Sequence, residues 1–365
     1  MFESGRMKTT AGMALGLLFF MKALLLPAQD FESLPVVRHE LSKDISLYQV
    51  GRTGVFSNMT AVRTSEGVVV FDSLSFPQLA KRVRALIEKD FGSKIACLIN
   101  THGALDHTGG NVIFEDVPIY GHLNIKTEMT RMRPPADQPR PSPEEMKKFI
   151  DQARERRAKE IEEARKGYLG DIRVREFEES DRIFELRARF FDPANPPKTV
   201  IPTVLIGDRH TLRLGGKTFE MYHNTPSYSE SDIITYIPEE KTLVVGDIFN
   251  AGRLPGIFPQ GSTDLESWEK LFSGYVSNDT TIEHFIGTHG AGTITAAEIR
   301  EQFSYLKKLV EEVRKLKASG KTAAEIQSLI PLAQFPYLKT YNPYFYGTAF
   351  NIHDLNIDSL WNQIK

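Results

Sequence analysis

The chain has 365 residues, with 45 Lys+Arg against 47 Asp+Glu and a formal net charge of −2. Hydrophobic residues make up 41% and charged ones 25%, a globular composition that excludes collagen-like, low-complexity and wholly disordered chains. The near-neutral balance offers no clustered basic face for nucleic acid. The lone Cys97 excludes an internal disulfide and any CxxC metal knuckle, which leaves nine histidines to carry metal chemistry.

Arg6 and Lys8 precede an uncharged run from Ala11 to Met21; Lys22 interrupts it and ALLLPA continues it to Ala28. A basic start, an apolar core of about 7–15 residues and a small-residue end read as a secretory signal peptide over residues 1–28. The chain is then exported, periplasmic or secreted. The run is too short for a stable membrane span, which needs about 20 apolar residues. The alternative is an amphipathic amino-terminal segment.

From Ile45 the pattern becomes short apolar runs between turn residues. Gly67 to Asp72 (GVVVFD) and Ile95 to Ile99 (IACLI) read as buried strands, and Leu79 to Phe91 between them as an amphipathic helix. Strand, helix and strand in that order predict a layered α/β domain. Between Pro134 and Pro197 the composition turns charged and helical, with a helix opening on the capping box Ser142-Pro143-Glu144-Glu145 and closing at Gly167. This stretch reads as an insertion lying over the domain. Beyond it, Thr211 to Met221 reads as a hairpin turning at Gly215-Gly216, and Ile233 to Ile237 pairs with Thr242 to Val245. Thr295-Ala-Ala-Glu298 and Thr322-Ala-Ala-Glu325 are capping boxes for two further helices. The expected organisation is one domain over residues 29–330, the insertion at about 134–197, and an aromatic-rich tail, 331–365, packed back onto the body.

The chemistry concentrates in Thr101-His102-Gly103-Ala104-Leu105-Asp106-His107-Thr108-Gly109-Gly110-Asn111, at the point where a buried strand runs into a loop. Two imidazoles and a carboxylate within six residues suit a divalent metal. Three further segments put polar groups at the ends of apolar runs: YHNTPSYSESD at 222–232, Val245-Gly246-Asp247 and Gly287-Thr288-His289-Gly290. Taken singly, each has a plainer reading: Asp106 and His107 as a loop-capping pair, Asp247 and His289 as strand-end caps.

In the order THGALDHTGGN, YHNTPSYSESDIITYIP, VVGDIF and GTHG, the chain resembles the metallo-β-lactamase superfamily of metal-dependent hydrolases, over roughly Ile45 to Leu316. The resemblance implies an α/β fold, a four-layer αβ/βα sandwich with a two-metal site at one edge of its paired sheets, here with the helical insertion and carboxy-terminal helices added. The family's first motif is usually His-x-His-x-Asp-His; His102, Asp106 and His107 match it, and Ala104 replaces the second histidine. The next ligand histidine falls on Tyr228, while the bridging acid matches Asp247 and the final histidine His289. The resemblance therefore implies that the first metal has kept only His102 of its three histidines. The second metal's set, Asp106, His107, Asp247 and His289, is whole.

Those four would hold one ion, Zn²⁺ or else Fe²⁺ or Mn²⁺, with an open position for water. His102, freed from ligation, is expected to act as a general base or a substrate hydrogen-bonding group, or to be a relic of the lost site. Tyr228 is expected to donate to an oxyanion or to fill the vacated space. The expected activity is hydrolysis of an ester, lactone, thioester or amide-like bond in a small molecule. A hydrophobic substrate would suit Leu254, Ile257 and Phe258, if the loop Phe249–Gly261 walls the cleft. The competing class is a non-catalytic binding protein that keeps the fold after losing metal chemistry. His122 and His223 lie near the motifs but match no family ligand, and Cys97 reads as a small core residue.

Overall fold

The computed structural model describes residues 31–131, 143–166, 170–190, 198–223, 228–257, 265–277, 279–290, 292–338, 341–345, 347–348 and 350–364. The expected signal peptide, Ser142, Gly167 and Phe258 lie outside them. Among the described residues, no helix is long and apolar enough to cross a membrane.

Two sheets face each other. The first has seven strands in sequence order: β1 (Val36–Glu40), β2 (Ile45–Val50), β3 (Asn58–Thr64), β4 (Gly67–Phe71), β5 (Ile95–Ile99), β6 (Ile119–His122) and β7 (Val204–Ile206). It is antiparallel through β4 and parallel from β4 to β7. The second has β8 (Arg209–Leu214), β9 (Lys217–His223), β10 (Ile233–Ile237), β11 (Thr242–Gly246) and β12 (His284–Gly287), in the order β12-β11-β10-β9-β8. Its pairs are antiparallel except β11 with β12.

Three separate apolar cores define four layers. Between the sheets, Ile45, Val69, Phe71 and Ile99 of the first meet Phe219, Met221, Ile233, Val244 and Ile286 of the second. Outside the first sheet, Val68, Val70 and Leu98 pack on helix α1 (Pro77–Phe91), whose buried face is Leu79, Ala80, Val83, Ile87 and Phe91. These positions recur at helical spacing, Pro77 opens the helix, and Gly92 closes it in the left-handed conformation at φ 60°. A one-turn helix, α2 (Leu105–Thr108), and α3 (Ile125–Arg131) follow. Next comes a helical hairpin, α4 (Pro143–Lys166) and α5 (Gly170–Phe190), which leaves and returns between the neighbouring strands β6 and β7.

Outside the second sheet, Ile234, Leu243, Val245 and Phe285 pack with α6 (Leu265–Ser273), α7 (Ala296–Ala318), α8 (Ala323–Leu329) and α9 (Ile352–Gln363). Leu254 and Ile257 belong to this third core, at 3% and 0% exposure, and Asn356 of α9 binds both the Ile257 amide and the Pro255 carbonyl. The expected apolar cleft wall is corrected accordingly: these two side chains face a complete core, where their burial is worth more than partial cover over a cleft. The observed layers are those of the expected αβ/βα sandwich.

Candidate metal centre

The parallel pairs β4/β5 and β11/β12 end at the same edge of the sandwich, and each continues directly into polar residues. Asp72 follows β4, Asn100 to His102 follow β5, Asp247 follows β11, and Thr288-His289 follow β12. The loop after β5 is built to a tight specification. Ala104 supplies the carbonyl that starts α2, accepting from the amides of His107 and Thr108. The His107 carbonyl accepts from the Ser73 amide, the Ser73 hydroxyl and the Asn100 side chain. The Gly109-Gly110 pair lets this loop lie backbone-on-backbone against residues 73–75: a Cβ at Gly110 would sit 2.0 Å from the Ser73 oxygen.

Five side chains converge there. Asp106 Oδ2 lies 3.5 Å from His107 Nε2 and 3.3 Å from His289 Nε2; Asp247 Oδ2 lies 3.5 Å from His107 Nε2, and its Oδ1 3.6 Å from His289 Nε2. His102 Nε2 stands 3.7 Å from Asp247 Oδ2, and its ring lies 4.1 Å from that of His107. The donor atoms of His102, His107 and Asp247 lie within 4.8 Å of one another, as do those of Asp106, His107 and His289. All five residues are buried except Asp106, whose side chain is 27% exposed.

The surroundings fix the imidazole tautomers. His107 Nδ1 donates to Asp72 Oδ2 at 2.9 Å, and His289 Nδ1 donates to the Gly54 carbonyl at 2.8 Å. The Thr101 hydroxyl gives its only proton to Asp72, 2.8 Å away, so at its 3.2 Å contact with His102 Nδ1 it accepts. In all three rings Nδ1 is thus the nitrogen held by the protein, and Nε2 is the one left for the cluster. This is the outer-shell arrangement of metal-binding histidines.

Charge supports the same geometry. Burial works against an imidazolium at His107, yet Asp106, Asp247 and Asp72 raise its affinity for a proton well above the ordinary 6.5. His289 is raised likewise, by Asp247 and Asp106, against the same cost of burial. Burial alone would lift Asp106 and Asp247, but the facing imidazoles hold both far below the usual carboxylate range. Two ionised carboxylates and buried imidazoles under cationic demand are a site that a dication completes by displacing protons. Among the described residues His102 Nε2 and His107 Nε2 are buried with no hydrogen-bond partner, as unoccupied ligand atoms would be. The contacts of 3.3–3.6 Å are of the length that separates neighbouring ligands on an ion with bonds of about 2.0–2.2 Å, and they run through both oxygens of Asp247. The residues present fit a metal ion.

Around this cluster, Tyr228 meets the His102 ring edge-on, with centroids 5.5 Å apart. His122 and His223 do not join the donors; they stack on each other across the two sheets, 3.6 Å apart at 16°. Burial and the neighbouring His223 push His122 down to about 4. Asp72, Thr101 and the Gly54 carbonyl are the partners that the motifs alone did not single out. For Asp72 a signal existed, since an acid closing the β-branched run GVVVF is as marked as Asp247 closing TLVVG. The Gly54 carbonyl carries none.

A sandwich with a His/Asp cluster at the shared edge of its sheets defines a class of metallohydrolase-like folds. The model of the metallo-beta-lactamase superfamily matches residues 52–277, more than half of the chain, and the chain belongs to that superfamily. Among solved structures it is similar to the stereoselective inverting sec-alkylsulfatase Pisa1 from Pseudomonas sp., at 16% identity and a TM-score of 0.60. That match covers 90% of this chain and 50% of the sulfatase, so the chain spans about half the sulfatase's length. It is also similar to a metallo-beta-lactamase from Pontibacter korlensis, at 14% identity and a TM-score of 0.47, covering 74% of this chain and 99% of that one. No curated protein matches the chain.

Proposed function

We propose that the protein is a metal-dependent hydrolase working with a single ion held by Asp106, His107, Asp247 and His289. The observation that carries this reading is the chain of 3.3–3.6 Å contacts that links those four side chains through both oxygens of Asp247, with His107 and His289 each held at Nδ1 by Asp72 and the Gly54 carbonyl. Two imidazoles and two carboxylates suit Zn²⁺ and also Fe²⁺ or Mn²⁺. When bound, the ion polarises a substrate oxygen and acidifies water, less strongly than beside three neutral imidazoles because two carboxylates offset its charge.

The proton of the attacking water then needs an acceptor from the chain. His102 fills that role: its Nδ1 proton is held by Thr101, and its Nε2 lone pair stands bare beside Asp247. Tyr228, packed edge-on against His102, donates to the oxyanion developing on the substrate. The bond cleaved is an ester, lactone, thioester or amide in a small molecule. A secondary alkyl sulfate belongs in the substrate panel because a structure of similar fold is a sec-alkylsulfatase.

The test is elemental analysis of protein purified without added metal, beside Asp106→Ala, with both assayed on that panel before and after chelation. We expect about one ion per wild-type chain, at least tenfold less in the variant, and hydrolysis abolished by the chelator. The competing reading, a non-catalytic binding fold, draws on Ala104 and Tyr228 standing at two family ligand positions. A folded, metal-free wild-type chain whose melting temperature ignores chelator would establish it instead.

A further inference from the structure

We infer that Glu179, on the inserted hairpin, is a positioning residue for His289, so that the insertion forms part of the metal centre. This rests on the proposed role of His289 as a ligand. The Glu179 carboxylate accepts from the Arg52 amide, from the Thr53 amide at 3.1 Å and from the Thr53 hydroxyl. Successive main-chain amides turned onto one anion form a nest, and hydrogen bonds to a charged acceptor are among the stronger ones. The fit is close, since a Cβ on Gly51, at φ +77°, would lie 2.9 Å from Glu179 Oε2.

One residue beyond Thr53, the same turn presents the Gly54 carbonyl to His289 Nδ1 at 2.8 Å. Gly54, at φ +81°, presses so closely on the turn after β12 that a Cβ there would stand 2.3 Å from the Gly290 nitrogen. Asn58 fastens the same contact, its side chain donating to the Gly290 carbonyl and its amide to the Thr288 carbonyl, both at 2.7 Å. The direction of the Gly54 carbonyl is thus set by the turn over residues 51–54. Glu179 grips that turn through the amides of Arg52 and Thr53. Losing the carboxylate frees two main-chain amides and lets the turn rotate, and the acceptor that aims His289 rotates with it. Glu176, one turn earlier on α5, binds Arg253 and Asn342 instead and serves as an internal control.

The experiment compares wild type, Glu179→Ala, Glu179→Gln and Glu176→Gln in two ways. Exchange of the His289 Nδ1 proton is followed by NMR of histidine-labelled, metal-free protein. Affinity for Co²⁺ is read from its visible absorption. In Glu179→Ala we expect the His289 proton to exchange at least tenfold faster, with the His107 proton held by Asp72 unchanged, and Co²⁺ to bind about tenfold more weakly. Glu179→Gln, which keeps an acceptor, should recover part of both. Unchanged exchange at His289 in Glu179→Ala overturns the inference, and so does an equal effect in Glu176→Gln. A wild-type chain that takes up no Co²⁺ overturns the metal reading, and the exchange arm alone then decides on Glu179.

Discussion

Asp72 offers no atom to the donor set, yet it decides how His107 faces that set. Its two oxygens take the His107 Nδ1 proton, the Thr101 hydroxyl and the Thr101 amide, and it does so fully buried, at φ 60°. Asparagine tolerates that left-handed conformation, whereas alanine would strain it. Asp72→Asn therefore tests the carboxylate with little disturbance of the backbone. The asparagine oxygen can still accept from His107 and the Thr101 hydroxyl, which share Asp72 Oδ2, but its NH₂ then opposes the Thr101 amide that donates to Oδ1. Removal of such outer-shell partners typically costs 10–100-fold in metal affinity, and competition with a chromophoric chelator should find a loss of that size with the far-UV spectrum unchanged. The contrast with His102, Asp106, His107, Asp247 and His289 explains what could be read from the sequence at this scale. Those five stand in order within short motifs at strand ends. Asp72, Thr101 and the Gly54 carbonyl gain their roles from pairings between strands and loops far apart in the chain, which no local pattern records.

Elements were legible where their signals are local. Both Thr-x-x-Glu boxes close in space: Thr295 accepts from the Glu298 amide at 3.1 Å and returns its own amide to the Glu298 carboxylate at 2.7 Å, and Thr322 with Glu325 repeats the pattern. Thr295→Ala leaves the first turn of α7 short of one acceptor and is expected to cost about 1 kcal/mol of stability. Urea unfolding should show the midpoint falling with the slope unchanged. The buried strands β4 and β5, the Gly-Gly hairpin of β8 and β9, and α1 follow from periodicity and turn residues in the same way. The second hairpin helix, α5, was not separable within a uniformly charged stretch. Neither was α9, whose cap is Asn351 accepting from the His353 amide at 2.9 Å, in a tail read only as aromatic. Leu254 and Ile257 show the remaining limit: an apolar loop residue can face a cleft or a core, and only the position of Asn356 and α9, about a hundred residues on, decides which.

At the scale of the whole molecule, each half of the sandwich brings two of the four donors, Asp106 and His107 beyond β5 and Asp247 and His289 beyond β11 and β12. An ion there ties the two sheets together, and the stabilisation it adds grows with its affinity. Without an ion the ligands titrate as a coupled cluster, and the signs can be worked out. His107 and His289 are raised, so their contribution is complete below about 6.5 and is lost as pH climbs through their elevated values. Asp106 and Asp247 are depressed, so their contribution is complete above the ordinary carboxylate range and is lost only in strong acid. The metal-free chain is therefore best served in mildly acid solution and weakens as the imidazoles give up their protons. The ion does the opposite, because it binds neutral imidazoles and competes with fewer protons as pH rises. The gap in melting temperature between metal-loaded and chelated protein should widen from about pH 6 to about pH 8, since groups remote from the site cancel in that difference. Asp106→Ala should show almost no gap at either pH. A gap that stays flat, or that persists undiminished in the variant, would mean that the four donors do not bind the ion as a set.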